Sequence, residues 1–187
     1  DANSRISTSN NDSGGTGGSD STTGNTILGY LAGNQSGALM EDGSHNNTII
    51  GHYALGGGTK ANATLNVAIG ANALKAGVNA TSNVAIGNNA MLDNTSGGYT
   101  IAIGREALAN INNHSNDGSI GIGCLAGGNQ SGSGSQYTTA NTLVGRQSGT
   151  TLTSGTLNTA LGFESMGGAY GATALTGSNN VVVGHKA

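Results

Sequence analysis

The chain has no proline and no tryptophan, one phenylalanine, one cysteine and only 8% charged residues over 187 positions. Each scarcity removes a class of protein. Without proline, the abundant glycine cannot belong to a collagen helix. A lone Cys124 allows no intrachain disulfide and reads as a buried spectator thiol. Six Lys and Arg against nine Asp and Glu, with a pI near 5.7, leave no basic face to neutralise a phosphate backbone, so nucleic acid is not an expected partner. No apolar run approaches the roughly 18 residues that span a bilayer, and the start, Asp1-Ala2-Asn3-Ser4-Arg5, lacks the basic and apolar regions of a signal peptide. Neither membrane insertion nor a self-carried export signal is expected. A net charge of only -3 argues equally against a charge-driven disordered chain.

What the chain does have is repetition. It holds 35 Gly and 24 Asn, and a five-residue motif accounts for their placement. Asn, then Thr, Val or Ile, then a small or aliphatic residue, then Ile, Leu or Val, then Gly, recurs nine times, ending at Gly29, Gly51, Gly70, Gly87, Gly104, Gly123, Gly145, Gly162 and Gly184. Three residues after each Gly stands Ala or Ser, from Ala32 to Ala187. Successive glycines lie 22, 19, 17, 17, 19, 22, 17 and 22 residues apart. A fixed core with variable spacers is the behaviour of a coil whose turns must stack while its outer loops vary. The spacers, such as Gly128-Asn129-Gln130-Ser131-Gly132-Ser133-Gly134, read as solvent-facing loops.

Residues 1–24 fall outside the pattern and read as a Gly/Ser/Asn-rich linker or lead-in segment, followed by a repeat domain over 25–187. The last motif is followed by no polar cap, so a piece of a longer polypeptide is expected.

The motif is too short and too β-branched for a helix, and its closing Gly makes it a short strand that turns a corner. The expected fold is all-β: a left-handed parallel β-roll, or β-solenoid, of nine coils of 17–22 residues. Along a strand the second and fourth positions face one way and the third the other. The fourth position, Leu28, Ile50, Ile69, Ile86, Ile103, Ile122, Val144, Leu161 and Val183, is always a branched aliphatic and is read as the coil interior. The third position holds Ile27, Ile49, Ala68, Ala85, Ala102, Gly121, Leu143, Ala160 and Val182, so the opposite face is apolar too. That column is read as the subunit-packing surface of a homotrimer, intertwined or side by side, because one thin coil has only one interior. The leading Asn residues should stack as an amide ladder, interrupted at Thr100 and Ser119.

With Asn66-Val67-Ala68-Ile69-Gly70 and Asn83-Val84-Ala85-Ile86-Gly87 as its best matches, the repeat resembles the left-handed β-roll of YadA-like heads in trimeric autotransporter adhesins. The longer coils, with a Met or Leu one place after the small residue, are also similar to repeats in bacteriophage tail-fibre and other virion proteins. The resemblance implies a homotrimeric fibre or adhesin module that spaces or attaches. A virion surface is preferred as its location over a bacterial cell surface, with a cell-surface glycan or protein receptor as partner.

Candidate chemistry is sparse. Gly121-Ile122-Gly123-Cys124-Leu125-Ala126 satisfies a dinucleotide fingerprint but is the sixth repeat, with no βαβ unit around it. Gly14-Gly15-Thr16-Gly17-Gly18-Ser19-Asp20 falls one residue short of a calcium repeat. No cofactor, metal site or catalytic residue is expected, and the four histidines, His45, His52, His114 and His185, read as exposed filler. A glycan-cleaving tailspike needs two carboxylates, but Glu106 and Glu164 sit three rungs apart, about 14 Å. The second position mixes Thr with Val and Ile, so no continuous Thr face for ice arises. The residues directly after the corner Gly, Tyr30, His52, Arg105, Arg146, Phe163 and His185, form a candidate lateral contact stripe.

Overall fold

The computed structural model describes residues 6–7, 24–35, 38–39, 44–57, 62–111, 117–128, 140–167 and 175–187. The calcium-like segment 14–20 and His114 lie outside them. The fold is an all-β parallel β-solenoid. Its strands are β1 (Ile6–Ser7), β2 (Thr26–Leu28), β3 (Asn34–Gln35), β4 (Ala38–Leu39), β5 (Thr48–Ile50), β6 (Val67–Ile69), β7 (Val84–Ile86), β8 (Ile101–Ile103), β9 (Ile120–Ile122), β10 (Thr142–Val144), β11 (Thr159–Leu161) and β12 (Val181–Val183). One sheet runs β1-β2-β5-β6-β7-β8-β9-β10-β11-β12, parallel except for β1, which pairs antiparallel with β2. β3 and β4 form a small separate hairpin.

The register is the motif register. Val67 pairs with Val84, Ala68 with Ala85 and Ile69 with Ile86, and every other parallel pair follows suit. The ladder continues around the corner: Gly87 N–H donates to Ile69 O, Asn89 N–H to Ala71 O and Met91 N–H to Ala107 O. The corner itself needs glycine. Gly70 has φ 130°, and a Cβ there would stand 2.6 Å from the carbonyl oxygen of Gly87 in the next turn. The turns are stacked backbone on backbone at that point, with no room for a side chain.

The interior is the reverse of the sequence expectation. The third position, not the fourth, lines the inside of the coil: Ile49, Ala68, Ala85, Ala102, Leu143 and Ala160 are 0% exposed. The column Ile27, Ile49, Ala68, Ala85, Ala102, Gly121, Leu143, Ala160 is therefore buried in its own chain, with Val182 partly so at the last rung, and is not a subunit-packing surface. The fourth position faces outward, with Leu28, Ile103, Ile122, Leu161 and Val183 exposed.

The physical reason is volume. A coil this thin is filled from two sides, and the second supplier is the residue right after the small Ala or Ser: Leu55, Leu74, Met91, Leu108 and Met166. Where that residue is large, the third position is Ala in four coils; where the third position is large, as Ile27 or Leu143, the partner is Gly33 or Gly149. A Cβ on Gly149 would lie 2.8 Å from Leu143 Cδ2, and one on Gly121 would lie 2.6 Å from Leu108 Cγ in the preceding turn. At most rungs a large residue on one side of the interior is met by a small one on the other, although Ile49 and Leu55 are both large and Gly121 and Gly127 both small.

Candidate interaction faces

The Asn ladder forms the polar seam beside the sheet. Asn47, Asn66 and Asn83 are buried, and each Oδ1 accepts the next turn's backbone N–H at 2.9–3.1 Å. Each Nδ2 donates to a carbonyl oxygen in the following turn, at Ala63, Ala80 and Gly97, all at 2.8 Å. A buried amide with every group matched costs little and fixes the register. Thr100 and Ser119 do not leave holes. The Thr100 N–H still donates to Asn83 Oδ1, its hydroxyl donates to Gly98 O, and Ser119 Oγ accepts the Asn141 N–H at 3.3 Å. Beyond them Asn141, Asn158 and Asn180 resume the pattern.

Two surfaces remain. The first is the outer face of the sheet, built by the second and fourth positions. The second-position column, Thr26, Thr48, Val67, Val84, Ile101, Ile120, Thr142, Thr159 and Val181, and the fourth-position column carry no charged residue at any rung. Their side chains are half-buried by their neighbours or exposed, Ile103 and Ile122 at 37% and Leu161 at 48%. Eight steps of about 4.8 Å give this apolar strip a length of about 38 Å.

The second surface is the stripe after the corner glycine, which the structure divides into groups. Tyr30 and His52 stack with ring centroids 5.3 Å apart and 12° between planes. Tyr53 meets both rings edge-on, and Lys75 Nζ lies 5.3 Å over it. At the other end Arg146 lies 5.2 Å over Phe163, which stacks on His185 at 5.3 Å. Between them Arg105 donates from Nη2 to Cys124 Sγ at 3.4 Å and from Nη1 to Glu106 at 2.6 Å. Those contacts, the sulfur first, raise the Arg105 pKa above its ordinary value. Cys124 is half-buried on this stripe, not in the core. Ala71 and Asn88 fill the intervening rungs, so the six predicted residues make two ring stacks and a guanidinium–thiol contact, not one continuous band. Tyr53 and Lys75 were not foreseen, although Tyr53 directly follows His52.

Glu164 pairs with Lys186 at 3.7 Å and Glu106 with Arg105. Among the described residues no group of three or more His, Cys, Asp and Glu gathers as metal ligands, and no helix is long and apolar enough to cross a membrane. Comparisons with protein-family models, curated proteins and solved structures return no match. The structure thus establishes a β-solenoid repeat protein, consistent with a structural or adhesive role.

Proposed function

We propose that the chain is a non-catalytic spacer or attachment module of an extracellular fibre, a bacteriophage tail fibre or similar virion appendage, in which three copies pack side by side through the outer sheet face. The observation that carries this reading is the pair of uncharged columns on that face. Nine successive rungs present side chains that gain from burial, over a strip longer than isolated apolar residues on a monomer need. A second copy of the chain is the partner that fits, because only a stack with the same rung spacing meets this strip rung for rung along its length.

The left-handed winding and the threefold arrangement rest on the resemblance of the Asn66–Gly70 and Asn83–Gly87 motifs to YadA-like heads. A bacterial surface adhesin with the same packing is the second reading. Absence of catalysis is supported by the carboxylates: Glu106 and Glu164 are each held in an ion pair. At three rungs, about 14 Å, they also exceed the roughly 6.5–9.5 Å of an inverting glycosidase pair.

The test is the mass of the purified chain in solution by light scattering, where three chains are expected. Ile103→Lys combined with Ile122→Lys puts two charges on the middle of the strip and should yield monomers that keep the parent's β circular dichroism. A parent that stays monomeric at every concentration removes the reading. A dimer removes the threefold arrangement alone.

A further inference from the structure

The stripe after the corner glycine places one side chain per rung, and its N-terminal end concentrates what the rest of the chain has little of. Aromatic residues make up only 3% of the sequence. Yet Tyr30, His52 and Tyr53 gather there with ring centroids no more than 6.1 Å apart, and Lys75 Nζ lies over Tyr53. Tyr30 is 41% exposed and His52 is exposed beside it. None of these rings belongs to either core cluster, so the stability of the coil interior does not account for their placement.

Two features make this cluster more than a set of ring contacts. The first is the step beside it. On the third rung the column carries only Ala71, so no side chain of the column continues the Tyr30–His52 stack, and on the fourth rung Asn88 Nδ2 donates to Ala71 O at 3.3 Å. The step is thus bounded by an imidazole, a methyl group and a carboxamide. The second feature is the set of unused polar groups. Among the described residues, the hydroxyls of Tyr30 and Tyr53, the ring nitrogens of His52 and Lys75 Nζ make no hydrogen bond or ion pair within the chain. The other ring stack differs on both counts: Phe163 has no hydroxyl, and Lys186 next to His185 is paired with Glu164.

We infer that the step at Ala71, with Tyr30, His52, Tyr53, Lys75 and Asn88 around it, is a saccharide site, and that the sugar it takes carries a carboxylate. A pyranose presents a face of C–H groups that packs flat on a ring, and a rim of hydroxyls that pair with phenol, imidazole and carboxamide groups. Aromatic surface with a few converging polar groups is the usual make-up of a small-ligand site. Lys75 sets the charge. Its ammonium is held over Tyr53 with no carboxylate of the chain paired to it, and a sugar acid supplies that partner as a charge-assisted hydrogen bond. The site lies on the stripe, off the outer sheet face, so it does not rest on the packing proposed above.

The test is calorimetric titration of the purified chain with two sugar acids, oligogalacturonate and oligosialic acid, and with maltohexaose as the neutral counterpart. At least one sugar acid is expected to bind, with maltohexaose weaker by at least about tenfold. His52→Ala, an exposed change that leaves the core untouched, should keep the parent's β circular dichroism and weaken the sugar acid by at least about tenfold. Lys75→Gln should bring the acidic and neutral sugars to equal affinity. Phe163→Ala, in the other ring stack, should change neither. Failure of both sugar acids to bind overturns the inference, as does binding that survives His52→Ala or equally tight binding of oligo-dT. The Ile103→Lys, Ile122→Lys variant should bind sugar as the parent does, so failure of the packing and failure of the site are read separately.

Discussion

The solenoid holds two cores of different make. In the N-terminal stack one continuous cluster runs from Ile27 to Ile111, with Ala at the third position facing Leu74, Met91 and Leu108. In the C-terminal stack a smaller cluster gathers Leu143, Leu152, Ala160 and Met166, with Leu175 and Val182 only partly buried against it. Polar groups take a larger share there: Ser148 and Ser165 replace the small Ala, their hydroxyls 3.0 Å apart, and Thr150 and Thr151 are buried with them. The two clusters part at the sixth rung, where both interior positions are Gly, Gly121 and Gly127. The Asn ladder is broken over the same stretch, at Thr100 and Ser119. Among the described residues, nine copies of one motif thus give two apolar clusters that meet at a rung with glycine at both interior positions, where Leu108 of the preceding turn packs over Gly121. The lesson is that cooperativity in a solenoid depends on what is packed between rungs more than on the rungs themselves.

The comparison breaks most sharply at the ladder. Asn66→Ala removes one of the two donors to Ala80 O, which keeps the Thr64 N–H, and the acceptor for the Asn83 N–H, leaving that buried N–H without its partner. The expected loss is about 4–6 kcal/mol, from about 1–3 kcal/mol for the unpaired N–H and about 1 kcal/mol for each of the three other side-chain hydrogen bonds that Asn66 makes, seen as a lower denaturant midpoint. It should unfold the N-terminal stack ahead of the C-terminal one, visible as earlier hydrogen exchange over residues 44–111. A loss shared equally by both stacks would show that the sixth rung transmits fully and is no joint.

Core truncation should separate the stacks by less. Leu74→Ala deletes a 0% exposed side chain that faces only Ala at the third position, and the cavity should cost about 2–5 kcal/mol. Met166→Ala, at 8% exposed and beside polar neighbours, should stay near the lower end, about 2 kcal/mol. Chemical denaturation of both variants checks the ordering, and equal losses would mean that the C-terminal core is as tightly packed as its partner.

Much of this molecule is legible in its residues. The spacing of glycines gives the parallel register, and the Asn column gives the seam, because a period repeated nine times leaves few alternatives. The inside and outside of the strand are not legible from side-chain size. Invariant branched aliphatics at the fourth position look like a core, yet they face outward, while Ala68, Ala85 and Ala102 are the interior because Leu74, Met91 and Leu108 already occupy the space. The clue lies one place after the small residue in most coils, where Leu or Met opposes Ala68, Ala85, Ala102 and Ala160 and Gly opposes Ile27 or Leu143. The left-handed backbone at Leu65, Tyr99 and Leu157 left no mark at all, since no propensity favours Leu or Tyr there. In the stripe, sequence placed the residues on one line, but only the folded rung spacing decides that Tyr30 stacks on His52 and that Arg105 finds Cys124.

The smallest effect sharpens the comparison by repairing the joint. Ser119→Asn restores a carboxamide where the ladder has a hydroxyl that accepts the Asn141 N–H at 3.3 Å, longer than the 2.8–3.1 Å that the Asn residues reach elsewhere. The longer side chain brings its oxygen within ordinary range of that N–H and of Asn141 Nδ2, as Asn47 does for Asn66. The expected gain is about 1 kcal/mol, one net hydrogen bond. Its signature should be a change in cooperativity as well as in midpoint: exchange over the two stacks should converge, because the seam now runs unbroken from the sixth rung to the ninth. A variant that gains midpoint without convergence would locate the weakness in the interior at Gly127, since Leu108 already fills the space over Gly121, and absolve the ladder. In that case filling the interior, not mending the seam, is what unites the two units.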